Sequence, residues 1–154
     1  MACRIGIISD THRMLRPEAL AALEGTDRII HAGDIGSFAV IEALRGVAPV
    51  TAVRGNVDVG DWAREFPETA VVEPEGVRIC VIHDLKDLDL DPCAMGFSAV
   101  VYGHSHAPLE ETRNGVLYFN PGSAGPRRFH LPVSVGRLTI DAGRLFAEIV
   151  YLSG

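Results

Sequence analysis

The sequence predicts an α/β fold in which two β-sheets pack face to face with helices on the outside. Two observations lead to this prediction. In the first half of the chain, short β-branched runs alternate with stretches of helical spacing, a pattern typical of a parallel sheet covered on both faces. In the second half, apolar runs are separated by turn sequences and are expected to form hairpins. Two packed sheets with outer helices accommodate both halves.

The first half is expected to follow the order βαβαβ. A helix is predicted from Pro17 to Leu23, because proline is tolerated in the first turn. A second helix is predicted from Ser37, whose hydroxyl can cap it, to Leu44. The three strands are predicted at residues 4–8, 28–31 and 50–53.

The second half is expected to consist mainly of β-hairpins. Asn114-Gly115 is a strong signal for a type I′ turn between two strands. Asp141-Ala142-Gly143 is predicted to turn the last hairpin. The strands are predicted at residues 70–72, 77–82, 99–102, 116–119, 133–140 and 144–152.

Length and composition indicate one soluble globular domain. The chain has 154 residues, of which 47% are hydrophobic and 22% charged, ordinary values for such a protein. Its longest apolar runs, such as residues 99–103, fall far short of the roughly 20 residues of a membrane span. The start of the chain lacks the pattern of a signal peptide. We therefore expect a cytoplasmic protein with no membrane partner, and homo-oligomer formation stays open.

Charge and cysteine content exclude several classes of site. The chain carries 14 basic and 20 acidic side chains, a formal charge of -6. Its densest basic cluster is Arg127-Arg128, which argues against binding of a long nucleic acid because that needs a basic stripe. The cysteines Cys3, Cys80 and Cys93 are odd in number and show no C-x-x-C spacing. Free thiols are therefore predicted, rather than disulfides or a structural zinc site.

Seven polar residues each follow a predicted strand. Ligands bind at the carboxyl ends of strands in open α/β sheets, where loops distant in sequence converge. Mixed imidazole and carboxylate groups suit Mn, Fe, Zn, Ni or Co better than Ca or Mg. The seven residues are Asp10, His12, Asp34, Asn56, His83, His104 and His106.

Each of these pieces has a purely structural alternative when taken alone. Asp10-Thr11-His12 fits a helix-capping loop, and Asp34 after Gly33 fits a turn. His83 ends an apolar strand and fits a packed core histidine. Gly103-His104-Ser105-His106 is the stronger signal, because histidines two apart on an extended loop point the same way. The occurrence of all the pieces in order, each at a strand end, favours a metal site.

The ordered set resembles the calcineurin-like metallophosphoesterase superfamily. The motifs are Asp10-x-His12, Gly33-Asp34, Gly55-Asn56-x-Asp58, His83 and Gly103-His104-x-His106, and Asn120-Pro121-Gly122-Ser123 matches the small bacterial and archaeal phosphodiesterase branch. The resemblance covers nearly the whole chain. It implies a single metallophosphoesterase domain over residues 1–154, folded as a four-layer αββα sandwich that holds two metal ions.

The resemblance also assigns the ligands. It implies that Asp10, His12 and His106 bind the first metal, that Asn56, His83 and His104 bind the second, and that Asp34 bridges both. We assign catalysis to Asp34, Asn56 and His104. Manganese is the expected metal, with nickel, iron, zinc and cobalt as alternatives. Two such ions about 3.5–4 Å apart can hold a bridging hydroxide that attacks phosphorus in line.

These residues predict a metal-dependent phosphodiesterase acting on small phosphodiesters. One alternative is a non-catalytic scaffold of the same fold, like the retromer subunit. Another is a phosphomonoesterase, a different substrate class at the same site. Every ligand position carries a side chain able to coordinate a metal, which favours the enzyme over the scaffold.

Two positions depart from the family pattern. Many members have a histidine after the Gly-Asn pair, where this chain has Val57. The substitution puts in doubt efficient cleavage of unactivated alkyl esters, although it is usual in the small phosphodiesterase branch. Asp84 follows His83 where relatives commonly have glycine and then histidine. Asp84 either supports a ligand or is a solvated loop acid, and we favour the latter.

The remaining candidates carry weaker predictions. Asp58 is expected to orient a ligand or a bound water, and His31 to be a packed, hydrogen-bonded histidine. Arg127 and Arg128 either contact substrate phosphate or belong to a solvated basic loop. Trp62 either forms an apolar wall or anchors a short helix.

Overall fold

The structure is a computed structural model that describes residues 2–128 and 130–152. Over this part of the chain it contains ten β-strands, two α-helices and three short 3₁₀ helices. The strands are β1 (Cys3–Ile8), β2 (Arg28–His31), β3 (Val50–Ala52), β4 (Thr69–Val72), β5 (Ile79–Ile82), β6 (Ala99–Val101), β7 (Leu109–Arg113), β8 (Val116–Asn120), β9 (Ser134–Asp141) and β10 (Arg144–Tyr151). The α-helices are α1 (Pro17–Ala22) and α2 (Phe38–Arg45), and the 3₁₀ helices are Asp61–Glu65, Pro74–Gly76 and Leu85–Asp87.

The strands form two five-stranded mixed sheets, which confirms the predicted fold class. The first sheet has the order β10-β9-β1-β2-β3, and the second has the order β4-β5-β6-β8-β7. In the first sheet the parallel strands β1, β2 and β3 form one side and the antiparallel strands β9 and β10 the other. In the second sheet the parallel strands β5, β6 and β8 form the centre, and β4 and β7 flank it in antiparallel orientation. The carboxyl ends of these parallel strands position the site described below.

The inner faces of the two sheets share one apolar core. Ile7 and Ile30 from the first sheet belong to the same fully buried cluster as Val101 and Phe119 from the second. Burial of such side chains is worth roughly 1.5–3 kcal/mol each. The core therefore holds the two sheets in a fixed relation, and with them the loops that leave each sheet.

The outer faces are covered differently. Leu23, next to α1, and Ile41 and Leu44 of α2 pack on the first sheet. On the second sheet, the described chain supplies the Leu85–Asp87 3₁₀ helix and the loop that follows it, with Leu88 and Phe97 against the strands. The outer layer on this side is thus thinner than the helical layer on the first sheet.

Predicted and observed boundaries agree to within about two residues. Ser37 caps α2 by accepting a hydrogen bond from the Ala39 backbone amide at 3.2 Å. Val77 and Arg78 lie outside β5, because the Val77 amide is engaged by the Pro74 carbonyl of the preceding turn. Val53 lies just beyond β3, whose pairing with β2 ends at Ala52.

The structure also bears on the cysteine and membrane predictions. All three cysteines are free thiols, as predicted. Within residues 2–128 and 130–152, the helices are too short and insufficiently apolar to span a bilayer.

Candidate functional site

The predicted ligands meet where the parallel strands of both sheets end. Asp10 and Asp34 follow β1 and β2 of the first sheet, and His83 and His104 follow β5 and β6 of the second. Because parallel strands end at one edge of their sheet, each sheet delivers two of these side chains to the same place. The site is therefore assembled across the interface between the sheets.

Left-handed backbone conformations direct these side chains inward. Five of the seven predicted ligands have positive φ: Asp10 (57°), His12 (47°), Asp34 (55°), His104 (73°) and His106 (64°). Such conformations are uncommon in residues other than glycine and cluster at functional sites, where the surrounding structure fixes them. Gly33 is required for a related reason. Its φ is 101°, and a Cβ there would lie 2.6 Å from Nδ1 of His83.

The first group of candidate ligands consists of Asp10, His12 and His106. Their ligand atoms lie within 4.8 Å of one another. Nε2 of His106 is 3.5 Å from Oδ1 of Asp10 and 3.3 Å from Nε2 of His12. Two nitrogens bound to one tetrahedral ion at about 2.0–2.1 Å would lie roughly 3.3–3.4 Å apart. The spacing of the two imidazoles thus fits a shared metal ion.

The second group consists of Asp34, His83 and His104, with the same limit of 4.8 Å between ligand atoms. Oδ2 of Asp34 lies 3.1 Å from Nε2 of His83 and 3.6 Å from Nε2 of His12. One carboxylate oxygen therefore faces both groups at once.

Hydrogen bonds leave specific atoms free to face the centre. Asp10 uses Oδ2 to accept from the Ser9 hydroxyl at 2.7 Å and from the His104 amide at 3.2 Å. Asp34 uses Oδ1 to accept from the Val57 amide at 3.1 Å. Nδ1 of His83 lies 2.8 Å from the carbonyl of Ala32, a contact that leaves Nε2 as the site-facing nitrogen.

Some of the free atoms are buried without a hydrogen-bond partner. Among the residues that the structure describes, nothing hydrogen-bonds to Oδ1 of Asp10, Nε2 of His83 or Nδ1 of His106. Leaving such groups unsatisfied costs about 1–3 kcal/mol each, and more when they are charged. The first two of these atoms face the centre of the site, where a bound cation would satisfy them.

The electrostatics of the site also favour a cation. Burial raises the pKa of Asp10 to about 6. Burial also works to raise the pKa of Asp34, but the His83 imidazole beside it prevails, and this pKa is lowered to about 2. Burial works to lower the pKa of His83, yet the two carboxylates raise it to about 9. A proton on His83 thus supplies positive charge where the carboxylates converge.

Asn56 and Asp84 line one pocket beside the second group. The pocket has a volume of about 300 Å³ and also includes His83. Oδ2 of Asp84 lies 3.6 Å from Nε2 of His104, and its side chain is only 19% exposed. Asp84 therefore contacts a candidate ligand. The sequence had favoured a solvated loop acid at this position.

Asp58 contacts the backbone of the site loops. Its buried carboxylate accepts hydrogen bonds from the amides of Ile35, Gly36 and Gly55 at 3.1, 2.9 and 2.8 Å. It therefore joins the loop that carries Asp34 to the loop that carries Asn56. The sequence predicted that Asp58 orients a ligand or a bound water, and these contacts place its carboxylate on the backbone that directly follows the candidate ligand Asp34.

The turn at Asn120 to Ser123 holds two other site loops. The side-chain amide of Asn120 (Nδ2) donates to the carbonyl of Gly103 at 3.1 Å, next to His104 in the sequence. The Ser123 hydroxyl donates to the carbonyl of Asp10 at 3.1 Å. This turn thus positions loops from both sheets.

The remaining predicted residues have different surroundings. His31 is fully buried: its Nδ1 accepts from the Gly33 amide at 3.1 Å and its Nε2 lies 3.0 Å from the Thr11 hydroxyl. It is the packed histidine that was predicted. Arg127 and Arg128 are exposed. Burial and the Arg128 charge together lower the pKa of His106 to about 4, so the Arg128 charge reaches the site.

Sequence reasoning missed Ser9 and Arg13. Ser9 directs the Asp10 carboxylate through its hydroxyl, and Arg13 lies beside His12 in an open pocket that also includes Val57 and Trp62. Their place in the sequence could have identified them, because both residues flank the Asp10-x-His12 motif at the end of β1. Their side-chain types alone are too common on protein surfaces to identify them.

Comparisons with known proteins identify the family and relatives of this chain. The family model of the calcineurin-like phosphoesterase superfamily domain matches residues 3–143. A probable metallophosphoesterase of Methanothermobacter thermautotrophicus is 35% identical, over 95% of this chain and 91% of that protein. A phosphodiesterase of Escherichia coli is 31% identical, over 88% of this chain and 83% of that protein.

Solved structures show the same fold. A structure described as a novel archaeal phosphodiesterase matches with a TM-score of 0.80 and 25% identity, over 97% of this chain and 99% of that one. Vacuolar protein sorting 29 from Cryptosporidium parvum matches with a TM-score of 0.77, over 99% of both chains, at 19% identity. The second likeness concerns the fold alone.

Proposed function

The chain belongs to the calcineurin-like phosphoesterase superfamily, and we propose that it is a metal-dependent phosphodiesterase that hydrolyses small phosphodiesters. The observation that carries the proposal is the position of Asp34. Its Oδ2 lies 3.6 Å from His12 and 3.1 Å from His83, so one carboxylate serves two groups of candidate ligands. The names of the relatives, a metallophosphoesterase and phosphodiesterases, support the same reaction class.

Residues 1–154 would form one metallophosphoesterase domain with two metal positions. Asp10, His12 and His106 would hold the first ion, and Asn56, His83 and His104 the second, with Asp34 shared. The buried atoms Oδ1 of Asp10 and Nε2 of His83 support this assignment, because both face the centre, where they form ion-pair contacts with other candidate ligands. We expect manganese, with nickel, iron, zinc and cobalt as alternatives, since mixed imidazole and carboxylate donors suit transition metals better than calcium or magnesium.

The charges of the site suit a phosphate ester. Two divalent ions bring roughly four positive charges against the two carboxylates Asp10 and Asp34. When bound, they would polarise the phosphoryl oxygens and lower the pKa of a coordinated water to near neutrality. The chain's own groups hold the geometry: Asp58 and Asn120 fix the loops, and the His83 contact with Ala32 orients the imidazole. The charge of Arg128 acts on His106, and it would favour an anionic substrate there.

Metal removal and restoration test this function. We expect protein stripped with chelator to lose hydrolysis of bis(p-nitrophenyl) phosphate and to regain it with Mn²⁺. Mg²⁺ should restore less, because four imidazoles suit it poorly. The matched monoester, p-nitrophenyl phosphate, should be hydrolysed more slowly than the diester.

Each other outcome points to one of the alternatives. Faster turnover of the monoester would indicate a phosphomonoesterase. Failure of Mn²⁺, Ni²⁺, Co²⁺ and Zn²⁺ alike to support hydrolysis would indicate a non-catalytic scaffold. Against the scaffold stands the complete set of seven metal-competent side chains, which a partner-binding surface does not need.

A further inference from the structure

An open groove runs from the candidate metal site along one side of the protein. Its first part, about 300 Å³, includes His12, Val57 and Trp62, and its second part, about 460 Å³, includes Phe38. Arg13 and Trp62 line both parts, so the two are continuous. We call this surface the Trp62 groove and define it by His12, Arg13, Phe38, Val57, Val59 and Trp62.

Part of the wall of the Trp62 groove is apolar and open to solvent. The side chain of Val57 is 44% exposed and that of Val59 is 74% exposed. Exposed branched apolar side chains grouped beside a charged centre are typical of ligand sites, where a few polar groups fix orientation and apolar groups supply contact area. His12 places one end of this wall directly at the first group of candidate ligands.

Trp62 is held by aromatic packing at the other side of the groove. Its ring lies edge to face against Phe66 with a centroid distance of 6.3 Å, and Phe66 in turn lies 6.4 Å from Phe38. Phe66 is buried, with 6% of its surface exposed. The aromatic rings therefore form a fixed surface, which favours stacking because little side-chain freedom is lost on binding.

Arg13 adds a cation to the groove, and hydrogen bonds from its backbone amide and from its side chain hold it in place. Its amide donates to the Ile35 carbonyl at 2.9 Å and its Nε donates to the Gly36 carbonyl at 3.3 Å. A Cβ on Gly36 would collide with the Arg13 backbone nitrogen, so this approach depends on glycine. A guanidinium stacks on planar rings as well as attracting phosphate.

Building on the proposed function, we propose that the Trp62 groove binds a planar aromatic ring of the substrate, so that phosphodiesters with a nucleobase-like group are preferred. An indole, a phenyl ring and a guanidinium all favour a flat π-system over an aliphatic chain. The metal site would hold the phosphoryl group at the His12 end, while the ring lies between Trp62 and the two valines.

The single tryptophan makes this proposal directly measurable. Trp62 is the one tryptophan of the sequence, so its fluorescence reports on the groove without any need for turnover. Metal-loaded protein is titrated with adenosine 5′-monophosphate and, in parallel, with ribose 5-phosphate, which lacks only the base. We expect the first ligand to change Trp62 fluorescence and to bind about 5- to 150-fold more tightly, the usual effect of stacking one base on an aromatic side chain.

A pair of matched variants locates the effect. Val59→Ser changes an exposed groove residue, and Val71→Ser changes a valine that is 53% exposed on β4, outside the groove. Val59→Ser should reduce the ratio of the two affinities at least ~3-fold, whereas Val71→Ser should leave it unchanged. Because both sites are exposed, both variants should fold.

The outcomes separate this proposal from the proposed function. Equal affinity for the two ligands in a protein that hydrolyses bis(p-nitrophenyl) phosphate would overturn the groove proposal and leave the phosphodiesterase standing. A base-dependent change of Trp62 fluorescence in a protein without hydrolysis under any metal would support the groove and overturn the phosphodiesterase. An unchanged affinity ratio in Val59→Ser would place the base elsewhere and overturn the groove proposal.

Discussion

The Asp34 carboxylate lies 3.1 Å from the His83 imidazole (Oδ2 to Nε2), although the two residues follow strands of different sheets. The same oxygen is 3.6 Å from Nε2 of His12. The contact therefore links the two halves of the fold at the point where the two candidate metal positions meet. Gly33 permits it, because any side chain there would collide with the His83 ring.

Asp34→Asn should reduce turnover of an aryl diester at least ~100-fold, the scale found when support for a metal site is removed. An amide is a poor bridge between two cations, so both ions should bind more weakly. The measurements are turnover and metal content, with Asp141→Asn, an exposed aspartate at the end of β9, as control. Full activity and full metal content in Asp34→Asn would refute the bridging assignment.

The sequence predicts the strands and the convergence of the site for a physical reason. β1, β2, β5 and β6 are short apolar runs that end at polar residues, and both signals are local. The predicted parallel strands of the first half then bring Asp10 and Asp34 to the same edge of one sheet. The parallel pairing of β5 with β6, which brings His83 and His104 to one edge of the other sheet, was not predicted, because the second half was expected to form mainly hairpins.

The sequence does not reveal which atoms of the site are already engaged. Asp58 was expected to orient a ligand or a bound water, and its carboxylate accepts hydrogen bonds from three backbone amides of two loops. Those amides become neighbours only when the chain folds, so the spacing of residues along the sequence does not predict these contacts. Asp84 is a similar case, since its proximity to His104 depends on two strands of the second sheet.

Asp58→Asn should destabilise the protein and weaken metal binding together. The substitution replaces one accepting oxygen with a donor, so at least one of the three amides loses its partner, at a cost of about 1–3 kcal/mol. Urea unfolding in chelator measures the stability, and Mn²⁺ titration of the folded variant measures the binding. If Asp58 acted directly on a ligand or water, activity would fall while the free energy of unfolding in chelator stayed at the wild-type value.

His31→Gln should cost stability at pH 7, and the cost should shrink as the pH falls. Burial, aided by the His83 charge, lowers the pKa of His31 to about 3 from a usual 6.5. Gly33 donates to Nδ1, so the folded protein holds the neutral ring. The unfolded chain therefore takes up the proton first, and the stability that His31 contributes is complete above pH 6.5 and is lost toward pH 3.

The test for His31 compares free energies of unfolding of wild type and His31→Gln at pH 7 and pH 5, both in chelator. Groups that titrate equally in both proteins cancel in the difference. A difference that stays constant or grows toward pH 5 would mean that His31 is not held neutral. Turnover of the metal-loaded variant should change less than stability, because His31 contacts Thr11 and Gly33 instead of facing the centre.

Val57 should make turnover steeply dependent on the leaving group. Its amide is tied to Oδ1 of Asp34 at 3.1 Å, and its side chain is exposed in the pocket that includes His12. The position where many relatives carry an imidazole thus presents an isopropyl group, which has no proton to give. A nitrophenolate departs without protonation, whereas an alkoxide does not, and general acid catalysis is typically worth ~100- to 10,000-fold.

Val57→His should therefore raise kcat for alkyl esters more than for aryl esters, by up to ~100-fold. The measurement is kcat over a series of phosphodiesters graded by the pKa of the leaving group, for wild type and variant. Val57→Leu is the matched control, because it enlarges the side chain without adding a proton donor. If kcat in the wild type did not depend on the pKa of the leaving group, another group would supply the proton, and Asp84, which lies 3.6 Å from His104, would be the first candidate. We expect kcat to fall steeply with rising leaving-group pKa in the wild type and in Val57→Leu, and less steeply in Val57→His. That result would show that the lack of a proton donor at this position limits the reaction.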